Sequence, residues 1–259
     1  MIVDAHSHIG EIAGFDGLDY RVSTMLTLMD ALEIDAAVQM PTSGIVSAFE
    51  ESYEVSEAAY EQSQGRLIYG LTFDPNYAED SLYWLERAAG RPGFVACKIH
   101  PSWHEVWGSD ARYDPVWRFA AEHDVPIVSH TWAVSAYNPV QKYATPDQFA
   151  EYVERYPTVT LVLGHAGGRY TGHLAAAELA QRYPNVYVDL SGDAYSFGFI
   201  EWLVPRIGAE RIMFGSDINW IDPRTHLGRV YDADITLAQK KMILGENAWR
   251  LFKLEGRCS

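Results

Sequence analysis

His6 and His8 stand two residues apart in the run DAHSHIG. In an extended strand, residues i and i+2 point to the same side. The two imidazoles therefore face one way and are spaced to share a single cation. Four further stretches put reactive side chains where short apolar runs stop: Lys98 and His100 in CKIHP, His130 in VSHTW, His165 in GHAGG and Asp217 in FGSD. A His-x-His pair alone also arises by chance in a strand. Joined by two more imidazoles and a carboxylate, it matches the nitrogen and oxygen donor set of Zn²⁺ or a similar divalent transition metal. Lys98 stands apart, because an ammonium cannot ligate a cation. Unmodified, it would pair with an acid such as Asp217 or bind a substrate carboxylate.

The segments that carry these residues are short, apolar and rich in β-branched side chains. Strands are expected over 2–9, 36–41, 67–75, 94–101, 125–131, 159–167, 186–192 and 212–219, each ending in small or polar residues. Their nearly continuous apolar runs suit parallel strands buried on both faces. Amphipathic stretches lie between them. Val22, Met25, Leu26, Met29 and Leu32 recur at helical spacing. Thr145 and Pro146 read as the cap and first residue of a helix to about Tyr156. Asp234 is expected to cap a helix over 235–244, with a last helix over 247–254. No linker or composition break divides the chain. Eight strand–helix repeats make an α/β fold, most simply one (β/α)₈ TIM barrel over residues 1–259, with an open doubly wound sheet as the alternative. Active sites of such barrels form at the C-terminal ends of the strands, where the reactive residues fall. Cys97 has the opposite parity to Lys98 and should face the helices as a packing residue.

The chain has 259 residues, 48% of them hydrophobic and 13% aromatic, which excludes a disordered or fibrous protein. Its net charge of −15 repels phosphate backbones, so nucleic acid is not expected as a partner. Two cysteines, Cys97 and Cys258, cannot build a disulfide framework or a thiolate zinc cluster. The first residues carry no basic region, and no stretch approaches the roughly 20 apolar residues of a membrane span. The expectation is a soluble, cytoplasmic protein acting on a small molecule, away from membranes, with a homodimer as its assembly.

DAHSHIG, the lone His130, GHAGG at 164–168, FGSD at 214–217 and LGENAWRLF at 244–252 resemble the amidohydrolase superfamily, and within it the amidohydrolase-related branch. That branch holds small TIM-barrel hydrolases, lactonases and nonoxidative decarboxylases. The resemblance spans the chain with its motifs in the family order. It implies that His6, His8 and His130 are metal ligands, and that Asp217 binds the metal and exchanges a proton with its water. It implies that His165 holds that water or polarises the substrate, or ligates a second ion. It also raises a carboxylated Lys98 bridging two ions. One or two divalent ions follow, Zn²⁺ first, with Mn²⁺ or Fe²⁺ as alternatives. A cation lowers the pKa of its water from about 15.7 toward about 7, and a nearby carboxylate can shuttle the proton.

The leading expectation is therefore a hydrolase of a C–O or C–N bond in a lactone, ester or amide, with His165 and Asp217 as catalytic residues. The alternative keeps the site and makes it a nonoxidative decarboxylase of an unsaturated or aromatic acid. A DNase on this fold is disfavoured by the charge and by lysine at the fourth strand, and a barrel that binds without catalysis by the complete ligand set. Substrate contacts are expected from His100, Trp103, Trp132, Arg169 and Trp220, with Trp107 and Tyr170 also on rim loops. These aromatics point to an apolar or aromatic substrate. Arg224 reads as a carboxylate anchor or a surface ion-pair partner. The loops 101–112 and 132–144 are the expected lid. Asp4 reads as a deep buttress for a ligand, while Asp74, Asp189 and Asp193 are marked only by ending strands.

Overall fold

The computed structural model of the chain describes residues 1–11 and 19–256, so Cys258 lies outside the described residues. Eight strands hydrogen-bond in the order β1-β2-β3-β4-β5-β6-β7-β8, each parallel to the next. They are β1 Val3–Ser7, β2 Ala36–Gln39, β3 Leu67–Thr72, β4 Phe94–Ile99, β5 Ile127–Ser129, β6 Leu161–Leu163, β7 Val186–Asp189 and β8 Ile212–Met213. Helices follow each of them and cover the sheet, among them Val22–Ala31, Phe49–Gln62, Asp114–His123 and Tyr170–Arg182. The fold is a single (β/α)₈ TIM barrel.

Parity along each strand divides the apolar residues into two layers. Leu67, Tyr69, Leu71, Cys97, Ile99, Ile127, Leu161 and Leu163 pack outward in one cluster with helix residues such as Met25, Met29, Leu85, Trp117 and Leu203. Cys97 is thus a buried packing residue among them, its thiol pushed well up by burial. Val38, Met40, Ile68, Ala96, Val128, Val162 and Met213 form a second cluster with Ala248 and Phe252 of the C-terminal segment. Apolar filling of the barrel leaves its C-terminal mouth to the polar residues of the same parity. Asp4, His6, His8 and Lys98 are each buried there to 1% exposure or less.

The strands are shorter than the apolar runs suggest, and the reason lies at the mouth. His130, His165 and Asp217 come after β5, β6 and β8 have ended, because the backbone leaves the sheet to turn each side chain inward. His165, Ala166 and Asp217 adopt φ of 61°, 46° and 57°. Left-handed backbone at non-glycine residues costs of order 1–3 kcal/mol each and persists only where surrounding bonds hold it. Two helix starts also differ from expectation. Thr145 makes no side-chain cap; a tight turn at Pro146–Phe149 precedes the helix Ala150–Arg155, with Gln148 N–H donating to Thr145 O. The cap near Asp234 is instead Thr236, in a reciprocal capping box with Gln239.

Candidate active site

The seam between β8 and β1 assembles the centre of the site. Ala5 N–H donates to Phe214 O at 2.9 Å, Asp217 N–H to His6 O at 2.9 Å, and His8 N–H to Ile218 O at 2.6 Å. Buried Asp4 pins both sides, accepting from His6 N–H at 3.1 Å and Ser216 N–H at 3.0 Å. It therefore buttresses the backbone beneath His6 and Asp217, not an imidazole ring. Burial pushes its carboxyl up to about 7.

Register across the seam brings the side chains together. His6 Nε2 and His8 Nε2 each lie 3.5 Å from Asp217 Oδ1, and His165 Nδ1 lies 3.5 Å from Asp217 Oδ2. Donor atoms of His6, His165 and Asp217 all fall within 4.8 Å of one another. These are not ion pairs, because burial holds the imidazoles neutral: His6 and His165 are pushed well below the ordinary range, and His8 to about 3. Burial, with Asp189 nearby, raises Asp217 to about 7.

Hydrogen bonds on the far side of two rings fix where their lone pairs point. His8 Nδ1 is 2.8 Å from Met40 O, an acceptor, so Nδ1 carries the proton and Nε2 the lone pair. His6 Nδ1 donates in the same way to Asp189 Oδ2 at 2.8 Å. Two lone pairs thus face Asp217 Oδ1, which is buried without a hydrogen-bond partner among the described residues. A cation placed where these three atoms converge would satisfy all of them. Atoms bonded tetrahedrally to one ion at about 2.0–2.1 Å lie about 3.4 Å apart, close to the separations seen. A carboxylate behind a histidine, as Asp189 stands behind His6, is the usual support for such a ligand. The residues fit a divalent transition metal.

The opposite wall is built differently. His130 Nδ1 lies 3.0 Å from His165 Nε2, and His130 Nε2 lies 3.0 Å from Gln141 Oε1. His165 Nδ1 lies 2.8 Å from Ser191 Oγ, and Ser191 Oγ lies 2.5 Å from Asp189 Oδ1. Both ring nitrogens of both histidines are engaged within the wall. The structure thus brings His6, His8, His165 and Asp217 together and sets His130 one step behind, bonded to His165. Burial and Lys98 hold His130 at about 3. Gly192 makes room for this wall: its φ is +90°, and a Cβ there would stand 2.9 Å from His165 Nδ1.

Lys98, on β4, is buried with Nζ 3.1 Å from His6 Nε2, so its ammonium donates to a lone pair that a metal would use. Burial lowers it to about 8 against the pull of Asp217 and Asp189.

A cavity of about 720 Å³ opens over this cluster. Among the residues expected to contact substrate, His100, Trp132, Arg169 and Trp220 line it; Trp103, 44% exposed, does not. His100 stacks on His130 at 4.1 Å and 7°, and Trp132 lies parallel to His130 at 5°. Trp220 stacks on His8 at 3.8 Å and 8°. His100 also caps its own loop, accepting from Trp103 N–H. Arg169 lies 3.5 Å from Asp193 and 5.9 Å from the Trp132 ring. Arg224 is engaged by Asp222 at the surface. Of the expected lid, 132–144 lines the cavity through Trp132, Ser135, Tyr137, Asn138 and Gln141, whereas 101–112 contributes nothing to its lining.

The amidohydrolase family profile matches residues 3–254. The chain belongs to this family. It is similar to the gamma-resorcylate decarboxylase of Rhizobium radiobacter, 24% identical over 294 residues that cover 90% of this chain and 88% of that protein. Its fold is like that of a 2,6-dihydroxybenzoate decarboxylase complexed with 2,6-dihydroxybenzoate, with TM-score 0.76, 18% identity and coverage of 98% and 99% of the two chains. It is also like that of a dihydroxybenzoic acid decarboxylase from Polaromonas sp. JS666 with bound manganese and the inhibitor 2-nitroresorcinol, with TM-score 0.75, 18% identity and coverage of 98% and 97%. This is an enzyme of the amidohydrolase superfamily. The three relatives named here are decarboxylases, the activity of the alternative expectation. Among the described residues, no helix is long and apolar enough to cross a membrane.

Three site residues escaped sequence reasoning: Asp189, Ser191 and Gln141. Asp189 ends β7 as Asp217 follows β8, and position alone was its signal. Ser191 and Gln141 are common residue types whose roles arise only from their partners.

Proposed function

We propose that this enzyme is a metal-dependent nonoxidative decarboxylase of an aromatic or unsaturated carboxylic acid. The observation that carries the reading is the similarity to gamma-resorcylate decarboxylase along 90% of the chain. The parallel ring planes of His100, His130 and Trp132 support it, since they suit a flat substrate.

His6, His8 and Asp217 would hold one divalent ion, with His165 as the nearest further donor. The manganese of the Polaromonas relative puts Mn²⁺ beside Zn²⁺ as a candidate. When bound, the ion supplies Lewis acidity and positive charge against which an acid's oxygens are held. The side chains do the rest. Trp132 and Trp220 bracket the cavity and orient the ring, and Arg169 offers a bidentate partner to an oxygen substituent at the rim. Asp217, with Oδ1 toward His6 and His8 and Oδ2 toward His165, is the carboxyl placed to carry the transferred proton. In the reaction the bond to the carboxylate carbon breaks, its electron pair stays on the ring carbon, and a proton from Asp217 joins that carbon as CO₂ leaves.

The test is turnover of hydroxybenzoic and unsaturated acids by manganese- and zinc-loaded protein in ²H₂O. The reading expects CO₂ release with one deuterium at the vacated carbon. Incorporation of ¹⁸O from water into the products of lactones, esters or amides, with no CO₂ from any acid, would return the site to hydrolysis.

A further inference from the structure

Two loops at the mouth turn in the same way and end on opposite charges. After β6 the chain passes through Gly168, and after β7 through Gly192, at φ of +78° and +90°. Both glycines lie against the Trp132 indole. A Cβ would stand 2.4 Å from its Cδ2 at Gly168 and 3.0 Å from its Cζ3 at Gly192, so only glycine suits both the backbone and the space. The residue after each glycine is charged, Arg169 in one loop and Asp193 in the other. Arg169 Nη2 lies 3.5 Å from Asp193 Oδ2, and both line the cavity with side chains 61% and 62% exposed.

That contact is looser than a hydrogen bond of good geometry, and an ion pair so exposed adds little to stability. The pair therefore keeps hydrogen-bonding capacity free for a ligand. Trp132 links it to the metal donors: the indole is 5.3 Å from the His165 ring and 5.9 Å from the Arg169 guanidinium. A flat acid whose carboxylate is held beside His165 and Asp217 thus meets the pair with the opposite edge of its ring. A guanidinium only donates and a carboxylate only accepts. A hydroxyl on that edge does both at once, accepting from Arg169 and donating to Asp193. A second carboxylate there would gain Arg169 but meet the like charge of Asp193. We propose that Arg169 and Asp193 are specificity-determining residues that select aromatic acids with a neutral hydroxyl opposite the carboxylate and reject those with a second carboxylate there. Arg169 alone would favour the dianion, and Asp193 reverses that preference. The orientation of the acid rests on the decarboxylase reading.

The experiment measures dissociation constants of benzoate, 4-hydroxybenzoate and terephthalate by calorimetry on manganese-loaded protein. Benzoate has no substituent to be read, so the other two acids are expressed relative to it. Wild type should bind 4-hydroxybenzoate about tenfold more tightly than benzoate, the worth of one hydrogen bond to a charged group, and terephthalate no more tightly than benzoate. Asp193→Asn should improve the terephthalate ratio by about tenfold, since Arg169 is then unopposed. Arg169→Gln should push that ratio below its wild-type value. Circular dichroism checks that both variants are folded, as an exposed pair leads one to expect. CO₂ release from the same samples separates the two readings. The predicted ranking without CO₂ would leave the pair assigned and the reaction wrong; CO₂ release with an unaltered ranking would do the reverse. A terephthalate ratio unmoved by Asp193→Asn, or no binding of any of the three acids to wild type, would overturn the assignment.

Discussion

The two walls of the mouth carry the same residue type and treat it in opposite ways. Along the β1–β8 seam, His8 has one nitrogen tied to a carbonyl and the other aimed at Asp217, and His6 differs only in lending its lone pair to Lys98. Beyond β5 and β6, His130 and His165 have both nitrogens engaged by each other, by Gln141 and by Ser191. Three of the four rings are buried, His130 is half-buried, and all are held neutral, so charge does not separate them. What separates them is the accounting of lone pairs. His8 has its far nitrogen satisfied and its near one directed at Asp217, and His6 would match it once Lys98 yields.

The largest effect should come from the seam. His8→Ala or Asp217→Asn should weaken Mn²⁺ or Zn²⁺ binding, read by calorimetry, by more than the roughly 10–100-fold typical of a supporting residue. On the other wall, His130→Gln should lower turnover by about 10²-fold or more, as loss of a proton-handling group does, while metal affinity changes far less. Equal metal loss in His8→Ala and His130→Gln would erase the distinction between the walls. Asp189→Asn leaves the first ligands in place but should cost about 10–100-fold in affinity by loosening His6. Lys98→Met should raise metal affinity about tenfold by freeing His6 Nε2, a ~1.4 kcal/mol gain. A fall in affinity instead would mark Lys98 as a carboxylated ligand.

The smallest effect is on stability against pH. Histidines in the unfolded chain titrate near 6.5, whereas His6, His8, His100, His130 and His165 are held lower in the fold. Below pH 6.5 the unfolded chain therefore binds more protons, and stability falls as pH drops. Asp4 and Asp217, raised to about 7, act oppositely between pH 7 and 3.8, where the folded chain holds protons that the unfolded one releases. Five imidazoles outweigh two carboxyls. The melting temperature of metal-free protein should drop from pH 7 to pH 5, and a rise would contradict the neutral rings.

The barrel was legible in the sequence because parallel strands buried on both faces are written as continuous apolar runs. The strand ends were not. The runs at 159–167 and 212–219 continue past β6 and β8 in composition, but the backbone turns out of the sheet to aim His165 and Asp217. The central cluster was legible for a similar reason: His6, His8, His165 and Asp217 lie at or just past strand ends, where parity and position speak. Their supports were not, because Ser191 and Gln141 act through partners more than 20 and 10 residues away. Trp103 shows the converse error. Its loop follows β4 as expected, but the ring stays at the surface outside the cavity.

Anomalous diffraction at the manganese edge, on crystals of the Mn²⁺-loaded protein, tests the account of the two walls most directly. It predicts one peak bounded by His6 Nε2, His8 Nε2 and Asp217, with the His130–Gln141 contact intact. A peak ligated by His130, with that contact broken, would contradict it.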